Sequence, residues 1–276
     1  ASYVIDKGEN TDVGVIEGMV EYLQDKGDIT IAEGCCGSTN LMPISTHKLF
    51  EFAGYSKLKE MYGVNLLDLN TDTFEKVKLC DKVLGISQRS LHADYLVSVP
   101  ALKTHVFTTI SACVKNLMGC LEPHPKQGFE TATKWEIHAE LSECNFSDLS
   151  TYWPALSKFE RRLIALYKEL SPRLGIIDAI VGSEGDAPVH GTPIYMGLII
   201  ASENPISCDA VAAYLIGIDP NTIGFLQLAK KENLGEVDIN EIETNIDPQR
   251  YRRRFKLPTF IGQLYENRVP RPQEYL

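Results

Sequence analysis

What the 276-residue sequence lacks narrows its chemistry. No Cys-x-x-Cys pair occurs, so the spacing that usually holds ferredoxin-type clusters is missing. There is no Gly-x-Ser-x-Gly nucleophile elbow, no Gly-x-Gly-x-x-Gly dinucleotide fingerprint and no His-Glu-x-x-His zinc motif. No apolar run approaches the roughly 20 residues that span a bilayer, and no signal peptide opens the chain, so no membrane partner is expected. Positive charge is scarce: 27 Lys and Arg stand against 37 Asp and Glu, a net charge of −10, which argues against a nucleic-acid partner. The seven cysteines are odd in number and irregular in spacing, a pattern that predicts reduced thiols and a cytoplasmic setting.

What remains is an ordinary globular composition, 44% hydrophobic and 23% charged. The length suits one large α/β domain, expected over residues 1–245 and open to a two-lobed form, with a flap at 121–134 and a basic, proline-containing tail at 246–276.

The run from Asp94 to Gly119 organises the rest. Residues 95–99 are mostly apolar and β-branched and predict a buried strand. Pro100 ends it, because proline cannot donate to a ladder. Lys103, Thr104 and His105 then fall where a strand delivers its loop. Thr108 and Thr109 offer caps for a helix whose Ile110, Ala112, Cys113, Val114, Leu117 and Met118 cover almost the whole circumference. Lys115 and Asn116 lie in that helix, and burying an unpaired charge is costly. Any one of these residues alone reads equally as a surface residue, since lysine is mostly exposed. Their concentration nominates Lys103, Thr104, His105, Lys115 and Asn116 as a site.

Periodicity predicts further helices over 13–23, 47–61, 135–149, 153–170, 205–216 and 223–231. In the 153–170 helix Arg161, Arg162 and Lys168 are assigned to the wet face. Strands are predicted over 29–32, 64–69, 174–181 and 194–201, with a hairpin at 74–77 and 83–86 and a short closing strand near 241–244. This alternation predicts an α/β fold: a mostly parallel or mixed sheet covered by helices on both faces.

After the 29–32 strand comes Gly34-Cys35-Cys36-Gly37-Ser38-Thr39, where Gly34, Gly37, Ser38 and Thr39 suit a backbone anion cradle and equally a plain tight turn. Cys35 and Cys36, with Cys113 and Cys120, are the candidate ligands for a metal ion or an iron–sulfur cluster, although buried cysteines often serve only as core thiols. Asp178 interrupts an apolar strand and needs a partner, for which Lys115 or Lys103 is the expectation. Asp178 and Glu184 are the carboxylates suited to acid–base work or hard-cation ligation, with Gly185 beside them and Asp209 in the 205–216 helix. Arg250, Arg252, Arg253, Arg254 and Lys256 make the tail basic; it is expected to pack on its own domain or to dock a protein partner.

Asp94-x-x-Val97-x-Val99-Pro100-x-x-Lys103-Thr104-His105, followed by Lys115-Asn116-x-x-Gly119, resembles the signature of the "domain of unknown function 362" family. A second stretch resembles that family from Ile176-x-Asp178-x-Ile180 through Gly182-x-Glu184-Gly185 to Gly191, and Asp209-Ala210-Val211-Ala212-Ala213 supplies a third. The likeness runs from about Thr11 to Glu243. It implies an α/β fold and no established activity. Some members carry ferredoxin-type modules, which this sequence lacks. Members usually begin with a strand and a Lys-Pro-Asn turn; here the chain starts at Ala1, and an upstream segment is expected to have been removed.

Two functions follow as expectations. One is an enzyme acting on an anionic or phosphorylated small molecule, with His105 as acid or base, Lys103 or Lys115 against negative charge, and Asp178 and Glu184 completing a pocket between two strand ends. The other is a binding or carrier module for an anionic ligand or a metal cluster, docked to a partner through its tail.

Overall fold

The computed structural model describes residues 9–34, 45–123, 133–187, 190–267 and 269–275. Among these, the strands are β1 (Thr30–Glu33), β2 (Asn65–Asp68), β3 (Phe74–Leu79), β4 (Lys82–Ser87), β5 (Val97–Ser98), β6 (Ala101–His105), β7 (Thr109–Ser111), β8 (Leu174–Asp186) and β9 (His190–Ser202). A mixed five-stranded sheet is built on β8, with β9 antiparallel along one edge. The other edge takes β5 and then β6, both parallel, and β7 returns antiparallel on β6. β1 and β2 form a parallel pair, and β3 and β4 form the hairpin that the alternation predicts. The α/β expectation is met, with a mixed sheet.

Pro100 divides what would be one strand. It has no N–H, but its carbonyl accepts Asp178 N–H at 2.8 Å, so the chain stays on the β8 edge and resumes as β6. Lys103, Thr104 and His105 therefore lie in a strand, not in the loop expected after one. Likewise β8 does not end at Val181 but runs on through Glu184 and Gly185 as half of a long hairpin.

The helix expected across Ile110 to Gly119 is also replaced. Ladder bonds to β6 claim Thr109–Ser111, one helical turn follows at Cys113–Asn116, and a 3-10 turn closes Leu117–Cys120. The turn starts where Asp209 accepts Cys113 N–H at 2.7 Å and Val114 N–H at 3.0 Å, an N-cap supplied from 96 residues away. Lys115 is consequently half-buried and Asn116 exposed, not enclosed. The 47–61 helix splits into Thr46–Phe52 and Tyr55–Tyr62 at Gly54, whose φ of +84° suits glycine. The 135–149 helix is reduced to the short pieces Thr133–Glu136 and Ala139–Glu143, and 241–244 forms turns instead of a strand.

The Leu149–Leu170 helix begins before the expected residue 153, because Asp148 caps it by accepting Ser150 N–H. Pro154 within it removes one backbone bond, at a cost of about 3 kcal/mol in a helix interior. Burial of Tyr152, Phe159, Leu163 and Leu166 outweighs this, at roughly 1.5–3 kcal/mol for each side chain. Arg162 is not on the wet face; it is fully buried. Its guanidinium forks to both Asp81 oxygens at 2.7 and 2.6 Å and to both Glu140 oxygens at 2.6 and 2.7 Å. The charge that looked solvated therefore ties the β3–β4 turn to the Ala139–Glu143 helix.

The C-terminal segment packs on the same body. Arg253 N–H and Phe255 N–H donate to Leu215 and Ile216 carbonyls, Phe255, Ile261 and Leu264 are buried, and Arg271 pairs with Glu160 in the interior. A second, smaller core of Ile16, Val20, Phe50, Tyr55, Leu58 and Val64 is partnered by Ile31 of β1 and Leu66 of β2.

Arg162→Met is expected to lower stability at pH 7 by about 2–4 kcal/mol in urea titrations, since a forked buried cation is lost while its carboxylates can rehydrate. The guanidinium holds Asp81 and Glu140 down at about 2, so their contribution is present above the unfolded range near 4 and is lost as pH falls toward 2. The wild-type advantage over Arg162→Met should shrink across that window; an advantage constant down to pH 2 would contradict the ion-pair account.

Candidate functional site

Alternation along β6 puts Ala101, Lys103 and His105 on one face, and Ala101 pairs with Asp178 across to β8. The β6–β8 register shifts between Ala101 and Lys103, yet Asp178 and Lys103 meet the same N-terminal segment and the Lys103 charge reaches both Asp178 and His105. The N-terminal segment lies over them. Lys103 Nζ donates to Glu9 O at 2.8 Å, Thr11 Oγ1 donates to Val99 O at 2.6 Å, and Tyr55 hydroxyl donates to Thr11 O at 2.6 Å. Asp178 accepts Asp12 N–H at 2.7 Å and Ile180 N–H at 2.9 Å, so the hydrogen bonds to its carboxylate come from backbone, where a lysine was expected. Burial pushes its acidity range up, while those N–H groups and the charge of Lys103 oppose the shift.

His105 is buried, and its Nδ1 faces Phe107 N–H at 3.1 Å and Thr108 N–H at 3.3 Å. Backbone N–H groups can only donate, so Nδ1 must be the acceptor and the ring proton of the neutral imidazole sits on Nε2. Burial, then the charges of Lys115, His138 and Lys103, holds the ring well below the usual titration range of histidine. The turn that delivers these donors places Thr109 at φ +67°, a left-handed conformation that β-branched residues rarely adopt and that costs on the order of 1–3 kcal/mol.

His138 joins this site. Its ring centroid is 5.7 Å from that of Phe107, whose ring is also 5.7 Å from His105, so Phe107 stands between two imidazoles. Burial and the Lys115 charge push His138 down to about 4. Both rings are therefore neutral near pH 7, and Lys115 acts on both.

The glycine segment after β1 approaches the central motif directly. A Cβ on Gly34 would overlap the carbonyl oxygen of Gly119, so only glycine allows the two backbones to meet. Lys134 Nζ donates to Gly34 O at 3.0 Å and stands 3.5 Å from Asn70 Oδ1, placing a lysine at that junction. Cys35, Cys36, Gly37, Ser38 and Thr39 lie outside the described residues, as does most of the 121–134 flap. The ends of that flap are tied by Lys134 N–H donating to Glu122 O.

Other nominated residues are committed elsewhere. Thr104 points away from Lys103 and His105 and donates to Gly185 O at 2.8 Å. Glu184 accepts Lys256 N–H at 2.7 Å, and Gly185 N–H donates to Lys256 O at 2.7 Å, so both clasp the C-terminal segment. Asn116 donates to Ser98 Oγ at 3.2 Å. Asp209 is fully buried as the cap of Cys113–Asn116, and burial pushes it up to about 7.

The metal reading fits the described residues poorly. Cys113 and Cys120 are buried, and burial raises both thiols, which opposes the thiolate form a metal needs. Cys113 meets Cys208 and Asp209, whereas Cys120 meets Ser90. Among the described residues, no three His, Cys, Asp or Glu side chains are grouped so as to hold a metal ion.

Sequence reading nominated none of Tyr55, Lys134 and His138, the last because a lone histidine in a helix is more often structural than catalytic. Only His138 had a signal, as a lone imidazole on a helix; the other two reach the site by packing alone.

Gly34→Ala is expected to lower the melting temperature by about 4 °C or more, on the order of 1–2 kcal/mol, by forcing Gly34 and Gly119 apart. An unchanged melting curve would refute the close approach. Asp209 favours its protonated form when folded, so its contribution is fully present below about 4 and is lost as pH rises to about 7. Asp209→Asn should flatten the dependence of the urea midpoint on pH between about 4 and 7. Asp209→Ala should lose about 1–2 kcal/mol in addition, because Cys113 and Val114 N–H are orphaned.

A thylakoid-associated protein of Synechocystis sp. is 27% identical over 191 residues, covering 69% of this chain and 53% of that protein. The chain thus spans about half the length of the curated relative it matches. Among the described residues, no helix is long and apolar enough to cross a membrane. The family described as a domain of unknown function (DUF362) matches residues 3–214, a span that holds Lys103, His105, Lys115, Asp178 and the Gly34–Gly119 junction. The chain belongs to that family.

Proposed function

We propose that this protein is an enzyme that takes an anionic small molecule, phosphorylated or sulfate-like, against Lys103 and Lys115, with His105 as its hydrogen-bond donor. The observation that carries the reading is the pair of backbone N–H groups on His105 Nδ1. They fix the proton of the neutral ring on Nε2, and the charges of Lys115 and Lys103 act on that ring. A neutral imidazole of this kind polarises a carbonyl or steadies a developing oxyanion without itself titrating. Asp178 acts as a positioning residue, holding Glu9–Asp12 over the lysine.

A second reading, a non-catalytic carrier of the same anion, is favoured by one feature: both expected acid–base carboxylates, Asp178 and Glu184, accept backbone N–H groups. In either case the free thiols of Cys80, Cys113, Cys120, Cys144 and Cys208 suit a reducing, cytoplasmic setting. The relative's thylakoid association suggests that such a protein works at a membrane surface. Exposed Arg250, Arg253 and Arg254 on the packed tail are its means of docking a protein partner.

Inorganic sulfate, doubly charged across pH 5–8, is the probe. Calorimetry is expected to show binding that falls at least tenfold in Lys103→Ala and in Lys115→Ala, about 1.4 kcal/mol or more. His105→Gln, which keeps a donor, should bind better than His105→Ala, and affinity should show no step near pH 6.5. Equal binding by all variants would end the proposal. Incubating wild type and His105→Ala with a panel of phosphorylated metabolites separates the two readings. Product from wild type alone identifies an enzyme; equal binding without product identifies the carrier.

A further inference from the structure

A cleft of about 360 Å³ opens beside the His105 turn, lined by Val106, Phe107, Phe146, Asp186, Phe260 and Gln263 among others. Its volume falls within the range of small-molecule sites, about 300–1,000 Å³. Three of its walls are aromatic. Phe107 and Phe146 have ring centroids 6.1 Å apart, and Phe146 and Phe260 lie 5.2 Å apart, both pairs tilted. The rings belong to the β6–β7 turn, the segment before the Leu149–Leu170 helix and the Thr259–Glu266 helix, so distant parts of the chain converge to make this apolar surface.

Phe107 is shared. One of its neighbours is the cleft; others are the imidazoles of His105 and His138, each at 5.7 Å. A ligand body in the cleft would therefore lie about one ring from the nominated donor. Charge fixes its direction. Asp186 is an exposed carboxylate that accepts Thr259 N–H at 2.7 Å and Thr259 Oγ1–H at 2.9 Å, and these bonds hold it in the ionised form. Lys256 acts on Asp186 at that end, whereas the charges of Lys115 and Lys103 reach His105, next to the Phe107 wall, and would draw an anionic group there.

We infer that the cleft binds the flat apolar body of the ligand, which makes the ligand class a ring-bearing acid or ester, its anion toward the lysines and its ring against the wall made by Phe107, Phe146 and Phe260. The anionic end of this assignment rests on the proposed function; the ring-binding cleft stands on its own walls.

Three probes distinguish the parts by calorimetry: 2-naphthyl sulfate, inorganic sulfate and 2-naphthol. The expected result is 2-naphthyl sulfate binding at least tenfold more tightly than either of the others, with the advantage over sulfate lost in Phe146→Ala. Phe146 is 38% exposed, so its truncation leaves the fold in place; Val106→Trp, which fills the cleft from a half-buried position, should give the same loss. Naphthol binding that depends on Phe146, with no gain from the sulfate group, would uphold the cleft and overturn the anion reading. Equal binding of sulfate and naphthyl sulfate, or an advantage that survives both variants, would overturn the cleft. Failure of all three probes would overturn both.

Discussion

A carboxylate in the middle of an apolar strand must be given hydrogen bonds, and Asp178 receives one from Ile180 beside it and one from Asp12, 166 residues away. Much of the architecture follows from that requirement. The N–H of Asp12 that satisfies it fixes the start of the Val13–Leu23 helix, and that helix covers the second core. The same clamp lays Glu9 and Thr11 across the sheet, where they meet Lys103, Val99 and Tyr55. Removing the carboxylate would release a helix, a strap and a lysine contact together.

The site shows a related economy. The tautomer of His105 is set by backbone geometry, through a turn strained enough to hold Thr109 in the left-handed region. A side chain cannot easily be retuned by its neighbours when the main chain has already chosen its tautomer. Gly34 at the β1 exit works similarly, by the side chain it lacks where it meets Gly119. Both features are local conformations enforced by contacts far off in sequence.

That is also why sequence reading succeeded unevenly. Helices and strands with a clear period, such as Val13–Leu23, the β3–β4 hairpin and Pro205–Leu215, were legible, as was the family, because motifs of fixed spacing carry it. Lys103, His105 and Asp178 were nominated, and the charge of Lys103 reaches both of the others. The helix expected over Ile110–Gly119 was not legible, since Asp209 supplies its cap from another element and β6 claims its first residues. Arg162 was placed in solvent because a periodic pattern cannot reveal Asp81 and Glu140 waiting on the buried side. Glu184 and Gly185 read as site residues, yet their partner is Lys256, in a stretch whose composition suggested an independent tail.

The span between Asp12 and Asp178 has a consequence for the order of assembly. A ribosome adds roughly 5–20 residues per second, so the N-terminal segment waits on the order of 10–30 s before its acceptor has been made. Until then Asp12 N–H lacks its acceptor, while the Val13–Leu23 helix already has Phe50, Tyr55, Leu58 and Val64 to pack on. The helix and its core can therefore assemble early, and the Asp12–Asp178 clamp closes over them later.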